Sequence, residues 1–305
     1  MVKIDDYKND VPVQWCPGCP NFGILNALKT ALTTLGKKPH ECCLVSGIGQ
    51  AAKLPHYLKC NFFNGLHGRA LPVALGIHVA NPHLTTIVVT GEGDCYGEGG
   101  NHFLHALRRN PDITVVVHNN GFYALTKGQA SPTTRVGEKR SLHIHGVEIA
   151  PLNMPAVAVV HDCTFVARGF AGDGDHLKSI LVEAIGHPGL SIVEVIQPCI
   201  TWGTHPVSWY RERVYTLGDD YEPTDRQAAL EKTMKTEERI ATGILFRTAP
   251  RKPFAERFRK EITDRPFAEL TPVPPEKIAA FLFGLRKGYI PEPDDSHSSR
   301  PHLVI

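Results

Sequence analysis

The stretch Thr85-Thr86-Ile87-Val88-Val89-Thr90-Gly91-Glu92-Gly93-Asp94-Cys95-Tyr96-Gly97-Glu98-Gly99-Gly100-Asn101-His102 sets the reading of this chain. Thr85 to Thr90 is a β-branched, largely apolar run of strand length, the type that is covered on both faces. A glycine-rich turn follows from Gly91 to Gly100, then a helical stretch to Arg109, then a second apolar strand from Ile113 to His118. Strand, helix and strand in close succession make a βαβ unit, which predicts a mostly parallel sheet with a right-handed crossover.

The same alternation extends to either side. Ile24, Leu25, Leu28, Leu32 and Leu35 recur at helical spacing, so Phe22 to Leu35 is predicted as a helix that stops at Gly36. Cys42 to Ser46 reads as a short buried strand and Ala70 to Val79 as a helix. Downstream, Met154 to Val160 and Leu177 to Ile185 read as helices, and Phe165 to Arg168 and Ser191 to Ile196 as strands. The fold class expected is therefore α/β, a doubly wound, mostly parallel sheet over residues 15–210. Residues 1–14 are polar and are expected to form an arm. Residues 211–305 alternate charge with proline and are expected to form an irregular extension whose last twenty or so residues, including Pro291 to Ser299, are flexible.

The glycine-rich turn leaves a strand and enters a helix, where open parallel sheets bind phosphates. Glycines allow close approach of the backbone, and the free N–H groups of the helix start attract an anion. Glu92 and Asp94 would repel a bare diphosphate, so their presence points to a divalent cation between carboxylate and phosphate. Asn119-Asn120 ends the next strand. Adjacent parallel strands would bring Asn120 to Glu92 to complete the metal shell. The bland alternative is a plain βα turn that carries an incidental acid.

Gly91-Glu92-Gly93 followed by Asn119-Asn120 resembles the thiamine-diphosphate motif. Gly99-Gly100-Asn101-His102, Ala106-Leu107-Arg108-Arg109-Asn110 and Tyr123-Ala124-Leu125-Thr126-Lys127-Gly128-Gln129-Ala130-Ser131-Pro132-Thr133 resemble the β subunits of 2-oxoacid:ferredoxin oxidoreductases. The likeness runs from about residue 14 to 215 and returns at Thr236 to Arg247. It implies thiamine diphosphate and Mg²⁺ as cofactors, with Glu92, Asn120 and the carbonyl of Phe122 as metal ligands. Glu92 stands where the family usually has Asp, and Asp94 is the fallback. Gly91, Gly93, Cys95, Asn101, His102, Leu125 and Thr126 are implied at the cofactor. His67, Arg69 and Lys53 are implied to act on diphosphate or substrate, and Leu125 to line the substrate pocket. Each of these polar residues, taken alone, also reads as ordinary solvated surface.

Eight cysteines in a chain with no secretory leader and no run of ~18 apolar residues point to a reducing, cytoplasmic setting and to metal or redox use rather than disulfides. Cys16-Pro17-Gly18-Cys19 alone fits half a zinc site, a cluster or a redox pair equally. The family resemblance implies a [4Fe–4S] cluster on Cys16, Cys19, Cys60 and Cys199. Many members carry a cysteine after the Gly47-Ile48-Gly49 turn. Here that position is Gln50, and Cys60 is the expected replacement. Cys42, Cys43 and Cys163 read as small buried hydrophobes.

Together these features imply oxidative decarboxylation of a 2-oxoacid, of the pyruvate or 2-oxoglutarate class, with coenzyme A and with ferredoxin as electron acceptor, in either direction. The catalytic acid for the cofactor's aminopyrimidine is implied to come from an α subunit, in a heterodimer or dimer of heterodimers. Competing readings are a non-oxidative thiamine-dependent decarboxylase or synthase subunit, and a non-catalytic zinc or iron–sulfur electron-transfer protein. A net charge of +2, with 42% hydrophobic and 21% charged residues, gives no sign of a nucleic-acid or membrane partner.

Overall fold

The computed structural model describes residues 1–234, 238–259 and 265–286. The expected flexible stretch Pro291 to Ser299 lies outside the described residues. In chain order the main elements are α1 (Asn21–Thr34), β1 (Cys42–Ser46), β2 (Asn61–Asn64), α2 (Ala70–Ala80), β3 (Thr85–Gly91), α3 (Gly100–Arg109), β4 (Ile113–Asn119), the small hairpin β5 (Phe122–Tyr123) and β6 (Gln129–Ala130), and α4 (Met154–Val160). They continue with β7 (Phe165–Phe170), α5 (Gly174–Gly186), β8 (Leu190–Ile196), α6 (Val207–Arg211), β9 (Val214–Thr216), α7 (Arg226–Thr233) and β10 (Ile240–Arg247).

Eight of these strands form one sheet in the order β2-β1-β3-β4-β8-β7-β10-β9. From β2 to β7 every pairing is parallel, and β10 joins β7 antiparallel. Successive side chains of a strand point to opposite faces. Accordingly Ile87 and Val89 enter one core with α1 and α5, while Val88 enters the other with α2, α3 and α4. Every residue of β1, β4, β7 and β8 is buried, which explains their largely apolar sequences.

Helix α1 ends as its glycine predicts. Gly36 is left-handed (φ 66°) and lets its own N–H reach Thr33 O and the Lys37 N–H reach Leu32 O, each at 3.0 Å. The N-terminal arm is pinned: Tyr7 is fully buried and its hydroxyl donates to Lys37 O at 2.7 Å.

Regular structure continues beyond residue 210, where the apolar pattern thins. β10 packs against β7 with a register shift between Ile244 and Phe246. It is tied to the core by Arg168, which is fully buried. Its Nε donates to Glu194 Oε2 at 2.8 Å, and its other nitrogens donate to the carbonyls of Lys232, Thr233 and Ala241. Among the described residues no helix is long and apolar enough to cross a membrane.

Candidate active site

The carboxyl ends of β1, β3, β4 and β8 converge at one edge of the sheet. A cavity of about 300 Å³ lies there, lined among others by Ile48, Gln50, His67, Gly91, Glu92, Gly93, Asp94, His118, Asn120, Phe122, Leu125 and Thr126. This is the usual ligand position in an open parallel sheet, and the volume falls in the range of small-molecule sites.

The turn after β3 is wider than a simple glycine loop. Gly93–Glu98 forms a π-helical turn closed by the Gly99 N–H on Asp94 O at 2.9 Å. Its glycines are sterically required. A Cβ on Gly93 would lie 2.5 Å from the Tyr123 ring, and one on Gly97 would lie 2.7 Å from the Tyr123 hydroxyl.

The two acids of the turn have different jobs. Asp94 is saturated by protein donors: its Oδ1 accepts the N–H of Ile48 at 3.2 Å and of Gly68 at 2.7 Å, and its Oδ2 accepts the Thr90 hydroxyl at 2.7 Å. It fastens the Gly47-Ile48-Gly49 turn and the Gly68 turn to the end of β3. Gly47 leaves room for this carboxylate, since a Cβ there would lie 2.0 Å from Asp94 Oδ2. Glu92 is buried and reaches toward β4, its Oε2 accepting the backbone N–H of Asn120 at 3.4 Å. Register makes this possible, because Gly91 pairs with His118 and so brings the ends of β3 and β4 side by side. Asn120 Oδ1 accepts the Phe122 N–H at 2.9 Å, which folds the chain back over the cavity.

Glu92, Asn120 and Phe122 line the cavity, and a carboxylate, a side-chain amide oxygen and a backbone carbonyl are all hard oxygen donors. Mg²⁺ takes one or two carboxylates and completes its shell with phosphate oxygens and water. The donor set fits such an ion.

His118 was not singled out by sequence. It is buried and lines the cavity, with Nδ1 2.9 Å from Asn21 Oδ1, and burial pushes its pKa down to about 3, so the ring is neutral. Its signal was only a polar residue ending an apolar strand before Asn119-Asn120. Glu98 and Tyr123 also line the cavity without having been singled out; Gln50 and Gln129 line it as well.

Other expected residues sit elsewhere. The Cys95 side chain is buried in the core with Tyr96 and Phe103, beneath the turn rather than on the cavity wall, and burial raises its thiol pKa. Lys53, Arg69, Asn101 and His102 are not among the lining residues. Arg69 caps α2. His102 lies near it, its pKa lowered by burial and by the Arg69 charge.

Three of the four cysteines expected to hold a cluster line one cavity. Cys16, Cys19 and Cys199 line a small second cavity with Trp15, Asn21, Gln50, Asn120 and Gln197. Gln50, Asn120 and Ala124 line both cavities, so the two share a wall. Each of the three sulfurs accepts a hydrogen bond from the 197–202 segment: the Thr201 hydroxyl on Cys16 at 3.3 Å, the Gln197 amide on Cys19 at 3.8 Å and the Trp202 N–H on Cys199 at 3.3 Å. Such donors stabilise thiolates that carry a metal cluster. Among the described residues no three His, Cys, Asp or Glu are close enough to hold one metal ion. A four-iron cube holds its thiolates farther apart than a single ion does.

Cys60 is not in this group. Parallel pairing of Asn61 with Cys43 sets it beside Cys42, at the opposite end of β1 from the site. It is packed against the core that contains α1, and burial pushes its thiol up to about 12.

Residues 45–195 match the family model described as the C-terminal TPP-binding domain of thiamine pyrophosphate enzymes. Residues 199–261 match the model for the C-terminal part of the pyruvate ferredoxin oxidoreductase beta subunit. The chain is 45% identical to a 2-oxoacid:ferredoxin oxidoreductase subunit beta of Saccharolobus solfataricus, over 76% of this chain and 81% of the relative. This chain belongs to the 2-oxoacid:ferredoxin oxidoreductase β-subunit family.

A second β subunit of that family, from Aeropyrum pernix, is 40% identical over 83% of this chain and 84% of its own. A solved 2-oxoglutarate:ferredoxin oxidoreductase from Magnetococcus marinus, with 2-oxoglutarate, coenzyme A and succinyl-CoA bound, superposes with a TM-score of 0.83 at 32% identity, covering 92% of this chain and 96% of that one. The chain is thus a subunit of an oxidoreductase, and the cavity described above lies within the matched thiamine-pyrophosphate-binding domain.

Proposed function

We propose that this β subunit, together with an α subunit, promotes coenzyme A-dependent oxidative decarboxylation of a 2-oxoacid, with electrons leaving through an iron–sulfur cluster to ferredoxin. The observation that carries the reading is the shared wall: one cavity with hard oxygen donors adjoins one with three convergent cysteines. Thiamine diphosphate, when bound, supplies the nucleophilic carbon and the electron sink that decarboxylation of a 2-oxoacid needs.

The residues of this chain divide the remaining work. Glu92, Asn120 and the Phe122 carbonyl would hold Mg²⁺ on the diphosphate, and Asp94 keeps the surrounding turns in place. His118, neutral and tethered by Asn21, offers an uncharged polar group on the cavity wall. Leu125 and Thr126 line the cavity beyond the Asn120 turn, where substrate would meet the cofactor. Cys16, Cys19 and Cys199 would hold the cluster. The acid that activates the aminopyrimidine would be supplied across the α–β interface. Substrates of the 2-oxoglutarate or pyruvate class are supported by the similar Magnetococcus enzyme and by the match to the pyruvate ferredoxin oxidoreductase family.

The test is anaerobic co-purification with the α subunit, followed by a screen of 2-oxoacids for coenzyme A-dependent reduction of a redox dye. Dye reduction that requires both coenzyme A and one class of 2-oxoacid is expected. Decarboxylation without coenzyme A, by a protein devoid of iron, would overturn the reading in favour of a non-oxidative enzyme.

A further inference from the structure

Among the described residues no fourth thiol lines the cysteine cavity, and Gln50 is among the residues that close it. Its backbone carbonyl accepts the Trp15 indole N–H at 2.9 Å, which fixes the residue beside the Cys16-Pro17-Gly18-Cys19 turn. Its side-chain Oε1 is fully buried and has no hydrogen-bond partner. A buried carbonyl oxygen without a donor costs on the order of 1–3 kcal/mol, so such a group is retained where something absent from the bare chain satisfies it. Cys60 cannot take its place without refolding the edge of the sheet. It lies level with Cys42, four residues before the end of β1, which is about 13 Å along the strand at ~3.3 Å per residue. Asn61 and Asn64 lock that register. The Asn61 amide donates to the carbonyls of His40 and Cys42, and the Asn64 amide to Ser46 Oγ and the Gly47 carbonyl.

We infer that the cluster of this chain is held by only three thiolates, Cys16, Cys19 and Cys199, and that its fourth iron faces the amide oxygen of Gln50. The inference rests on the iron–sulfur reading above and refines it. A neutral oxygen binds iron more weakly than a thiolate does, and it leaves the cluster one unit less negative. The fourth iron is therefore exchangeable. Under mild oxidation [4Fe–4S]²⁺ releases that corner as Fe²⁺ to leave neutral [3Fe–4S], which passes one electron to an added oxidant such as ferricyanide and becomes [3Fe–4S]⁺. Because Gln50 also lines the cofactor cavity, the exchangeable corner is the one nearest the reacting centre.

The experiment uses the anaerobic α–β complex with reconstituted cluster, titrated with ferricyanide and followed by iron and sulfide analysis and by EPR. The wild type is expected to lose about one iron in four and to develop the signal of an oxidised three-iron cluster, reversed by Fe²⁺ and dithionite. Gln50→Cys is expected to keep all its iron and to give no such signal. Cys60→Ser is expected to behave as wild type. Lower iron in Cys60→Ser would overturn the inference, as would three-iron conversion in Gln50→Cys equal to wild type. If wild type resists ferricyanide while still binding four irons, the assignment of Gln50 fails but the cluster stands. If wild type takes up no iron or sulfide at all, the cluster reading itself fails.

Discussion

Asn21 Oδ1 and His118 Nδ1 lie 2.9 Å apart, and that contact joins the two halves of the site. Asn21 opens α1, two residues after Cys19. His118 is near the end of β4, two residues before Asn120. Asn21 thus follows the cysteine turn in the chain while its side chain orients the histidine of the cofactor cavity. Asn21→Ala would leave His118, already without a partner on Nε2, buried with neither ring nitrogen bonded. A loss of about 1–3 kcal/mol is expected, read as a lower urea midpoint at unchanged slope. An unchanged midpoint would show that the contact contributes nothing.

Glu92 and Asp94 should separate by phenotype. Glu92→Ala is expected to fold normally but to lose thiamine diphosphate and Mg²⁺ retention by a hundredfold or so, a few kcal/mol of binding. Asp94→Asn disturbs the cradle of Ile48, Gly68 and Thr90, and is expected to lower thermal stability as well as binding. Equilibrium dialysis alongside thermal melts checks both. Cofactor retention by Glu92→Ala would remove it from the metal shell.

Gly93→Ala and Gly100→Ala make a matched pair in the same turn. The first puts a methyl 2.5 Å from the Tyr123 ring, whereas the second meets nothing within 4 Å. Gly93→Ala is expected to weaken thiamine diphosphate binding at least tenfold. Gly100→Ala should leave binding intact and, as the first residue of α3, should raise helix stability by up to about 1 kcal/mol. Equal effects would mean that the contact with Tyr123 does not shape the turn.

Much of this was legible in the sequence. The strands β1, β3, β4, β7 and β8 are largely apolar because both their faces are covered, with Arg168 of β7 and Glu194 of β8 paired in the interior. The pairing of Glu92 with Asn120 followed from two adjacent parallel strands. What stayed hidden depends on register and long-range contact. β2 is Asn-Phe-Phe-Asn, exposed throughout, and is held by asparagine side chains rather than by an apolar pattern. β10 is interrupted by Gly243 at φ 124° and is anchored from a distance by Arg168. Cys60 looked close to the site by chain count, yet parallel pairing carries it to the far end of β1.

A buried histidine away from the site gives a pH prediction. His187 packs on Phe165, and burial, with a smaller contribution from the Arg247 charge, pushes its pKa down to about 4. The unfolded chain takes up this proton below about pH 6.5 while the folded chain does not until about pH 4. Stability should therefore fall as pH is lowered through that window, by up to ~1.4 kcal/mol per pH unit for this group. His187→Leu should flatten the acid limb of the stability–pH curve. Parallel curves for variant and wild type would contradict the assignment.

Redox coupling between the two adjoining cavities can be measured directly in a single turnover. The α–β complex, anaerobic and without ferredoxin, is mixed with a 2-oxoacid while the visible absorption of the proposed iron–sulfur chromophore is followed. Bleaching that requires thiamine diphosphate, and that is absent in Glu92→Ala, is the expected result. An absorption that stays constant with the vitamin bound, or that bleaches equally without it, would contradict the coupling of the two cavities.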